Sequence, residues 1–269
     1  MTKPEIKALF FDIDGTLVGL KTHQLNETDI RSLRTLKENG YLLFIATGRD
    51  ADIPEEFDVL QPLMPILTGI IDVNGQHCAL TDGTEITFHP IANEDFFPLR
   101  KACEEHHMAM LYRHDHANYL TEMTDHVRKY WEWMGLDIPA IRPLEPDAHD
   151  IPKLCIHCSA EEEAAYLTPL MKQTWTARIT PDLIDLIPAG IGKDSGIREM
   201  CRYFGVRIEE TMGFGDGMND LCMLNLVGTA VAMENADDEV KASADFVTMT
   251  TEEAGITHAL KHFGLLPAL

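Results

Sequence analysis

Two aspartates, Asp12 and Asp14, directly follow the short apolar segment KALFF near the start of the chain. Open α/β sheets bind ligands at the carboxyl ends of their strands, so two residues at this spacing can direct both carboxylates into one crevice. Carboxylates that close repel each other, and one pKa rises unless a cation joins them. Hard oxygen ligands of this kind favour magnesium. The pair therefore predicts an acidic, metal-dependent site.

Groups suited to a phosphate follow other apolar segments. Thr47 and Gly48, after YLLFIA, offer a hydroxyl and a backbone amide. Lys193 opens a predicted helix, where an ammonium and a helix N-terminus can meet at one anion. The segment GDGMND at residues 215–220 adds two carboxylates and an amide after the segment TMGF. Each feature alone is typical of a turn or a solvated charge, but their shared placement at strand ends favours a site.

Alternating strands and helices are predicted to position these residues. KALFFD has the pattern of a buried parallel strand, and YLLFIATGR repeats it. Between them, NETDIRSLRTLKENG is typical of an amphipathic helix that Asn26 caps and Gly40 ends. The opening is therefore βαβ with a parallel sheet.

A change of pattern divides the rest of the chain. Residues 84–187 mix helical stretches with short strands, as an α+β module would, and the βα alternation returns beyond Gly190. We therefore predict an α/β protein with a Rossmann-like parallel-sheet core. Residues 1–83 and 188–269 form this core, and residues 84–187 form an inserted α+β cap domain.

The charge limits the possible partners. The formal net charge of −22 repels nucleic acid and anionic lipid, so neither is expected as a partner. A phosphate site on such a protein must be made attractive locally, by a cation or by directed donors. No apolar segment has the length of a signal peptide core or a membrane span, which predicts a cytoplasmic location. We expect a monomer or a small homo-oligomer.

Beyond these arguments, the sequence resembles the haloacid dehalogenase superfamily of phosphohydrolases, and within it the Cof-like branch. FFDIDGTL is similar to the first motif of the family, IATGR to the second, Lys193 in AGIGKDSGI to the third and GFGDGMND to the fourth. VNG at residues 73–75 and AMENADDEVKASAD at residues 232–245 resemble further Cof-like signatures. The resemblance covers essentially the whole chain.

The resemblance implies a role for each matching residue. Asp12 is the expected nucleophile and Asp14 the expected general acid and base. The phosphate would be held by Thr47, Gly48, Lys193 and Asn219. Magnesium would be bound by Asp12, the backbone carbonyl of Asp14 and Asp216. For Asp220, two roles stay open, one near the metal and one as an anchor for Lys193, while Arg49, Asn74 and Asn235 are expected to support loops.

The predicted function is a magnesium-dependent phosphatase that acts on small phosphorylated metabolites such as sugar phosphates. It would work through an aspartyl-phosphate intermediate, with the inserted domain as a lid. One alternative is a sugar phosphomutase, because related mutases share this motif set. Another is a non-catalytic protein that binds phosphate for regulation. Fold alone does not decide among the three.

Overall fold

A computed structural model of the protein describes residues 5–114 and 116–267. The chain divides into two compact units, of which one contains Met1–Thr87 with Ile191–Leu269 and the other Phe88–Gly190. Both boundaries of the second unit lie a few residues after the boundaries at 84 and 187 that the sequence predicts. The strand Glu85–Phe88 accounts for the first difference, because it still pairs within the sheet of the first unit.

The strands and helices are numbered here in chain order. The strands are β1 (Ala8–Phe11), β2 (Leu42–Ala46), β3 (Gly69–Asp72), β4 (His77–Leu80), β5 (Glu85–Phe88), β6 (Met110–His114), β7 (Ala117–Leu120), β8 (Leu154–Ile156), β9 (Thr174–Thr180), β10 (Leu183–Pro188), β11 (Thr211–Gly215), β12 (Thr229–Ala232) and β13 (Phe246–Val247). The helices are α1 (Glu27–Glu38), α2 (Pro54–Phe57), α3 (Asn93–His106), α4 (Asp125–Met134), α5 (Ala160–Glu162), α6 (Lys193–Phe204), α7 (Leu221–Leu224), α8 (Asp238–Ser243) and α9 (Gly255–His262).

An eight-stranded sheet forms the centre of the first unit, in the order β13-β12-β11-β1-β2-β3-β4-β5. The six strands from β13 to β3 run parallel, and β4 is antiparallel to β3. Strand β1 thus lies inside the sheet, between β2 and β11. The prediction of a parallel α/β core is confirmed.

Both faces of this sheet are covered by helices, as a parallel sheet requires. Side chains alternate along β1, so Leu9 packs in one core cluster and Phe10 in the other. Helix α1 buries its apolar stripe in the first cluster, and its N-cap Asn26 accepts a hydrogen bond of 2.9 Å from the amide of Thr28. The opposite cluster includes Ile197 of α6. This packing fixes the strand ends that carry the candidate site.

The second unit contains a five-stranded sheet in the order β7-β6-β8-β10-β9, with antiparallel neighbours. Phe96 and Leu99 of α3 pack in its larger apolar cluster, and Val127 of α4 packs in a smaller one. Helix α4 and strand β9 are not predicted by the sequence pattern. Helix α4 mixes charged and aromatic residues, and β9 is half-exposed without a continuous apolar segment. Among all described residues, no helix has the length and apolar composition needed to cross a membrane.

His157 is a buried histidine of the second unit. Its ring is buried against Tyr130, with 5.3 Å between ring centroids, and Nδ1 lies 3.2 Å from the carbonyl oxygen of Asp182. Nε2 is buried and has no hydrogen-bond partner among the described residues. Burial lowers the pKa of His157 to about 4, so the folded protein favours the neutral ring.

We therefore predict that the second unit loses stability as the pH falls. Because the folded pKa lies below the unfolded value near 6.5, the stabilisation is complete above pH ~6.5 and decreases down to pH ~4, by about 3 kcal/mol in total. All three tryptophans lie in this unit, so their fluorescence reports its unfolding by urea. His157→Phe should remove this part of the pH dependence. Parallel pH profiles for the wild type and the variant would refute the assignment.

Candidate active site

The carboxyl ends of three neighbouring strands bring the predicted residues together. Asp12 follows β1, Thr47 follows β2 and Asp216 follows β11. The backbone amide of Asp12 donates to the carbonyl of Phe214 at 3.0 Å, which continues the ladder to the strand end. Since β1 lies between the other two strands, the nucleophile candidate occupies the middle of the site.

Lys193 reaches this edge as the first residue of α6. Its N-cap, Gly192, lies directly against Gly75, where an added Cβ would stand 2.1 Å from the Gly192 carbonyl oxygen. Gly75 also has a φ of +93°, so glycine is needed there for space and for conformation. The Nζ atom of Lys193 lies 2.6 Å from Oδ1 of Asp12 and 2.5 Å from Oδ1 of Asp220. The lysine is 1% exposed, so this ion pair is fully buried.

Burial and neighbouring negative charges raise the pKa values of two aspartates in the site. Burial, followed by the charge of Asp220, raises the pKa of Asp12 to about 8, although Lys193 acts in the opposite direction. Burial alone would lower the pKa of Lys193, but the two carboxylates that it contacts raise it above its usual value. Burial and then Asp220 raise the pKa of Asp216 to about 7. One ammonium therefore does not balance these carboxylates, and additional positive charge would stabilise them.

The donor atoms fit a divalent cation. Carboxylate oxygens of Asp12, Asp216 and Asp220 all lie within 4.8 Å of one another. Both oxygens of Asp220 are already engaged, since Oδ1 accepts from Lys193 at 2.5 Å and Oδ2 accepts from the amides of Asp216 and Gly217 at 3.0 and 2.9 Å. The ammonium contact and the two backbone amides give Asp220 the geometry of an anchor for Lys193. Hard carboxylate oxygens suit magnesium or a similar ion.

Asp14 differs from these three acids because its side chain is 54% exposed. Arg49 donates to both of its carboxylate oxygens, from Nη2 to Oδ1 at 2.6 Å and from Nε to Oδ2 at 2.9 Å. Such a bidentate pair fixes the orientation of the carboxylate. The sequence pattern predicts only a loop-supporting role for Arg49, and its contact with Asp14 is a finding of the structure.

The loop after β3 holds the Thr47 and Gly48 turn in place. The amide of Asn74 donates to the carbonyl of Thr47 at 2.9 Å, and the Asn74 side chain packs against Gly48. The Thr47 hydroxyl accepts from the amide of Arg49 at 3.0 Å. Asn219 donates from Nδ2 to Oδ1 of Asn74 at 3.4 Å, which joins this loop to the segment after β11. The loop thus connects the two sides of the candidate site.

Two threonines for which the sequence predicts no role, Thr16 and Thr251, also contact the site. Oγ1 of Thr16 donates to Oδ1 of Asp216 at 3.3 Å. Oγ1 of Thr251 lies 3.0 Å from the carbonyl oxygen of Gly15 and 2.9 Å from that of Thr16. The proximity of Thr16 to Asp14 in sequence was a usable signal. Thr251 is an ordinary threonine far along the chain, and nothing near it in sequence marks its role.

Comparison with known proteins agrees with this architecture. A family model described as haloacid dehalogenase-like hydrolase matches residues 9–260. Over 265 residues the chain is 32% identical to the putative phosphatase YkrA of Bacillus subtilis, and the match covers 97% of this chain and 98% of that protein.

Solved structures resemble the chain over nearly its full length. The phosphatase BT1666 from Bacteroides thetaiotaomicron superposes with a TM-score of 0.89 at 31% identity, covering 97% of this chain and 96% of that one. The sugar phosphatase BT4131, of subclass IIB of the superfamily, superposes with a TM-score of 0.84 at 33% identity, covering 97% of this chain and 100% of the other.

Proposed function

Since the chain belongs to the haloacid dehalogenase-like hydrolases and is a phosphoric monoester hydrolase, we propose that it acts through a phosphorylated Asp12 with magnesium. Its substrates would be small phosphorylated metabolites such as sugar phosphates. The observation that carries this proposal is the buried contact of 2.6 Å between Lys193 Nζ and Asp12 Oδ1. This contact holds the positively charged ammonium of Lys193 against the Asp12 carboxylate, which would accept the phosphoryl group.

Asp12 is the nucleophile in this proposal. Its position at the end of β1 is rigid, because the strand is paired on both sides and its backbone amide is bonded to Phe214. Phosphoryl transfer requires mainly that the attacking oxygen lie in line with the leaving oxygen and that the spreading charge be neutralised. A rigid strand end satisfies the first requirement.

Four residues would hold the transferred phosphoryl group. Lys193 supplies charge, and the hydroxyl of Thr47, the backbone amide of Gly48 and the amide group of Asn219 supply neutral donors. The bond between Asn219 and Asn74 and the packing of Asn74 on Gly48 support their arrangement around one crevice.

Asp12, Asp216 and the backbone carbonyl of Asp14 would hold the divalent ion. When bound, magnesium supplies positive charge that offsets the charge of the phosphoryl oxygens and of the carboxylates. Asp220 remains with Lys193 and keeps its ammonium directed at Asp12. Asp220 accepts from an ammonium and two backbone amides, whereas the side chains that donate to Asp216 are the neutral Thr16 and Asn235, so Asp216 is better able to bind a cation.

The reaction takes two steps. Oδ of Asp12 attacks phosphorus, the ester bond breaks, and protonated Asp14 gives its proton to the leaving oxygen. Asp14, now a carboxylate, takes a proton from a water molecule as that water attacks phosphorus. The acyl-phosphate bond then breaks, inorganic phosphate is released and the carboxylate of Asp12 is restored. Because Arg49 bonds to both oxygens of Asp14, this contact must open before either oxygen can reach the leaving oxygen.

The similarity to the sugar phosphatase BT4131 supports sugar phosphates as the substrate class. Phosphate release from a panel of metabolite phosphates tests the proposal, with a hexose phosphate assayed both with and without a bisphosphate activator. Release without the activator is expected for a phosphatase. Isomerised hexose phosphate that forms only with the activator would indicate a mutase, and no turnover of any monoester would leave the proposal without support.

Removal of the divalent ion should abolish most activity. We expect excess EDTA to lower p-nitrophenyl phosphate turnover by about 100-fold or more, since the ion contributes several kcal/mol to such transition states. Added magnesium should restore the rate, and calcium should restore it poorly because its larger shell displaces the attacking oxygen. EDTA saturated beforehand with magnesium is the control. Undiminished turnover in free EDTA would contradict the metal requirement.

A further inference from the structure

We propose that Asn235 is a positioning residue that fixes Asp216 for binding of the divalent cation. This inference rests on the proposed function, because it concerns the same metal site. Asn235 follows β12 and precedes α8, so it belongs to neither the strand nor the helix that carries the other site residues. Its contacts are with the two segments that would surround the cation.

Asn235 joins Asp216 to the loop after β1. Its Nδ2 donates to Oδ2 of Asp216 at 2.9 Å and to the carbonyl oxygen of Gly15 at 2.9 Å. On the other side of the carboxylate, Thr16 donates to Oδ1 at 3.3 Å. Each oxygen of Asp216 therefore has a protein donor, and together the two donors fix the plane of the carboxylate.

Gly15 gives the carboxylate no space to rotate toward the loop. A Cβ on Gly15 would lie 2.0 Å from Oδ2 of Asp216, and the φ of Gly15 is +81°. The carboxylate thus packs directly against the backbone of Gly15. The side-chain amide of Asn235 donates to both partners of this contact, the carboxylate of Asp216 and the carbonyl oxygen of Gly15.

Asp216 needs such a restraint because its neighbours repel it. Its carboxylate oxygen lies within 4.8 Å of carboxylate oxygens of Asp12 and Asp220. Without a donor at Oδ2, this repulsion would favour rotation of Asp216 away from the other two acids. Magnesium demands near-ideal octahedral geometry, so a displaced ligand oxygen weakens binding. Residues that orient metal ligands by hydrogen bonds change metal affinity by about 10- to 100-fold when they are replaced.

Thr251 provides a matched comparison. Its hydroxyl bonds to the carbonyl oxygens of Gly15 and Thr16, in the same loop that Asn235 contacts at Gly15, and its contacts do not include Asp216 in the described part of the chain. Replacing Thr251 by Val therefore weakens support of the loop and leaves the donor at Asp216 Oδ2 in place. A difference between the Asn235 and Thr251 variants isolates the orientation of Asp216 from general support of the loop.

The test measures manganese binding without substrate, by electron paramagnetic resonance of free Mn²⁺, with Mg²⁺ as competitor. Asn235→Ala should raise both dissociation constants by about 10- to 100-fold. Thr16→Val, which keeps the side-chain shape and removes the weaker donor, should raise them by about 3- to 10-fold. Thr251→Val should change them less than either. At saturating magnesium, Asn235→Ala should keep the wild-type KM, because Asn235 would not touch substrate.

Three outcomes would overturn the inference. They are wild-type affinity in a folded Asn235→Ala variant, equal losses for Asn235→Ala and Thr251→Val, and no manganese binding by the wild type. Folding is checked by circular dichroism, and if Asn235→Ala fails to fold, wild-type affinity in Thr16→Val would overturn the inference instead. A wild type that binds manganese but hydrolyses no phosphate ester would refute the proposed function alone.

Discussion

Asp12→Asn should leave a folded protein whose phosphatase activity is lower by roughly 10⁴-fold or more. An amide cannot attack phosphorus, and no other described carboxylate has the place of Asp12 at the end of β1. The fold should tolerate the change, because Asn keeps the shape of the buried Asp12 side chain and removes a carboxylate that the nearby Asp216 and Asp220 repel. Lys193 would also keep its contact of 2.5 Å with Asp220.

The phosphorylated intermediate provides the direct measurement. Acid-quenched wild type from a single turnover with labelled substrate should carry phosphate on the peptide that contains Asp12, and Asp12→Asn should carry none. Asp58→Asn, the same chemical change at an exposed position, is the matched control and should retain wild-type labelling and activity. Label on a different peptide of the wild type would assign the nucleophile elsewhere.

The second prediction concerns Asp14 and depends on the leaving group. A sugar alkoxide needs a proton as the ester bond breaks, whereas nitrophenolate leaves readily without one. Asp14→Asn should therefore slow phosphorylation of Asp12 by about 10³-fold with a sugar phosphate and only mildly with p-nitrophenyl phosphate. The hydrolysis of the acyl phosphate is common to both substrates and should be slowed equally.

Rapid-quench kinetics can separate these steps, while steady-state rates would report only the slow common one. The variant should show a burst of nitrophenol followed by slow turnover, and no burst with the sugar phosphate. Arg49→Met is a useful control, since it removes the partner of Asp14 and keeps the carboxyl group. Equal slowing of the first step for both substrates would mean that Asp14 acts by positioning and not as an acid.

Local patterns in the sequence were sufficient to predict much of the fold. The capped helix α1 between two apolar strands predicted the βαβ opening, because cap, apolar stripe and glycine stop all act within a few residues of each other. The same logic predicted that Asp12 and Thr47 lie at neighbouring strand ends. Comparison with known proteins confirms the family and the class of enzyme.

Contacts between distant segments could not be predicted in the same way. Asp14 and Arg49 are 35 residues apart, and Asn235 and Gly15 are 220 residues apart. These hydrogen bonds depend on the conformations that the loops adopt after the sheet has formed. No periodic pattern in the sequence encodes those conformations. The missed strand β9 has a related cause, because its half-exposed residues give a weak alternation of apolar and polar positions.

The position of β1 inside the sheet has a consequence for how the protein is made. One edge of β1 pairs with β2, but the other must wait for β11, which begins more than 190 residues later at Thr211. On the ribosome, the apolar segment Ala8–Phe11 therefore has an open edge while Phe88–Gly190 is being synthesised, and such edges are prone to aggregation. Pairing β1 with β11 also closes a loop that contains all the residues between them. Closure of so long a loop makes folding slow relative to proteins with local contacts. The ion pair of Lys193 with Asp12 spans 181 residues, so this contact forms only after synthesis has passed residue 193.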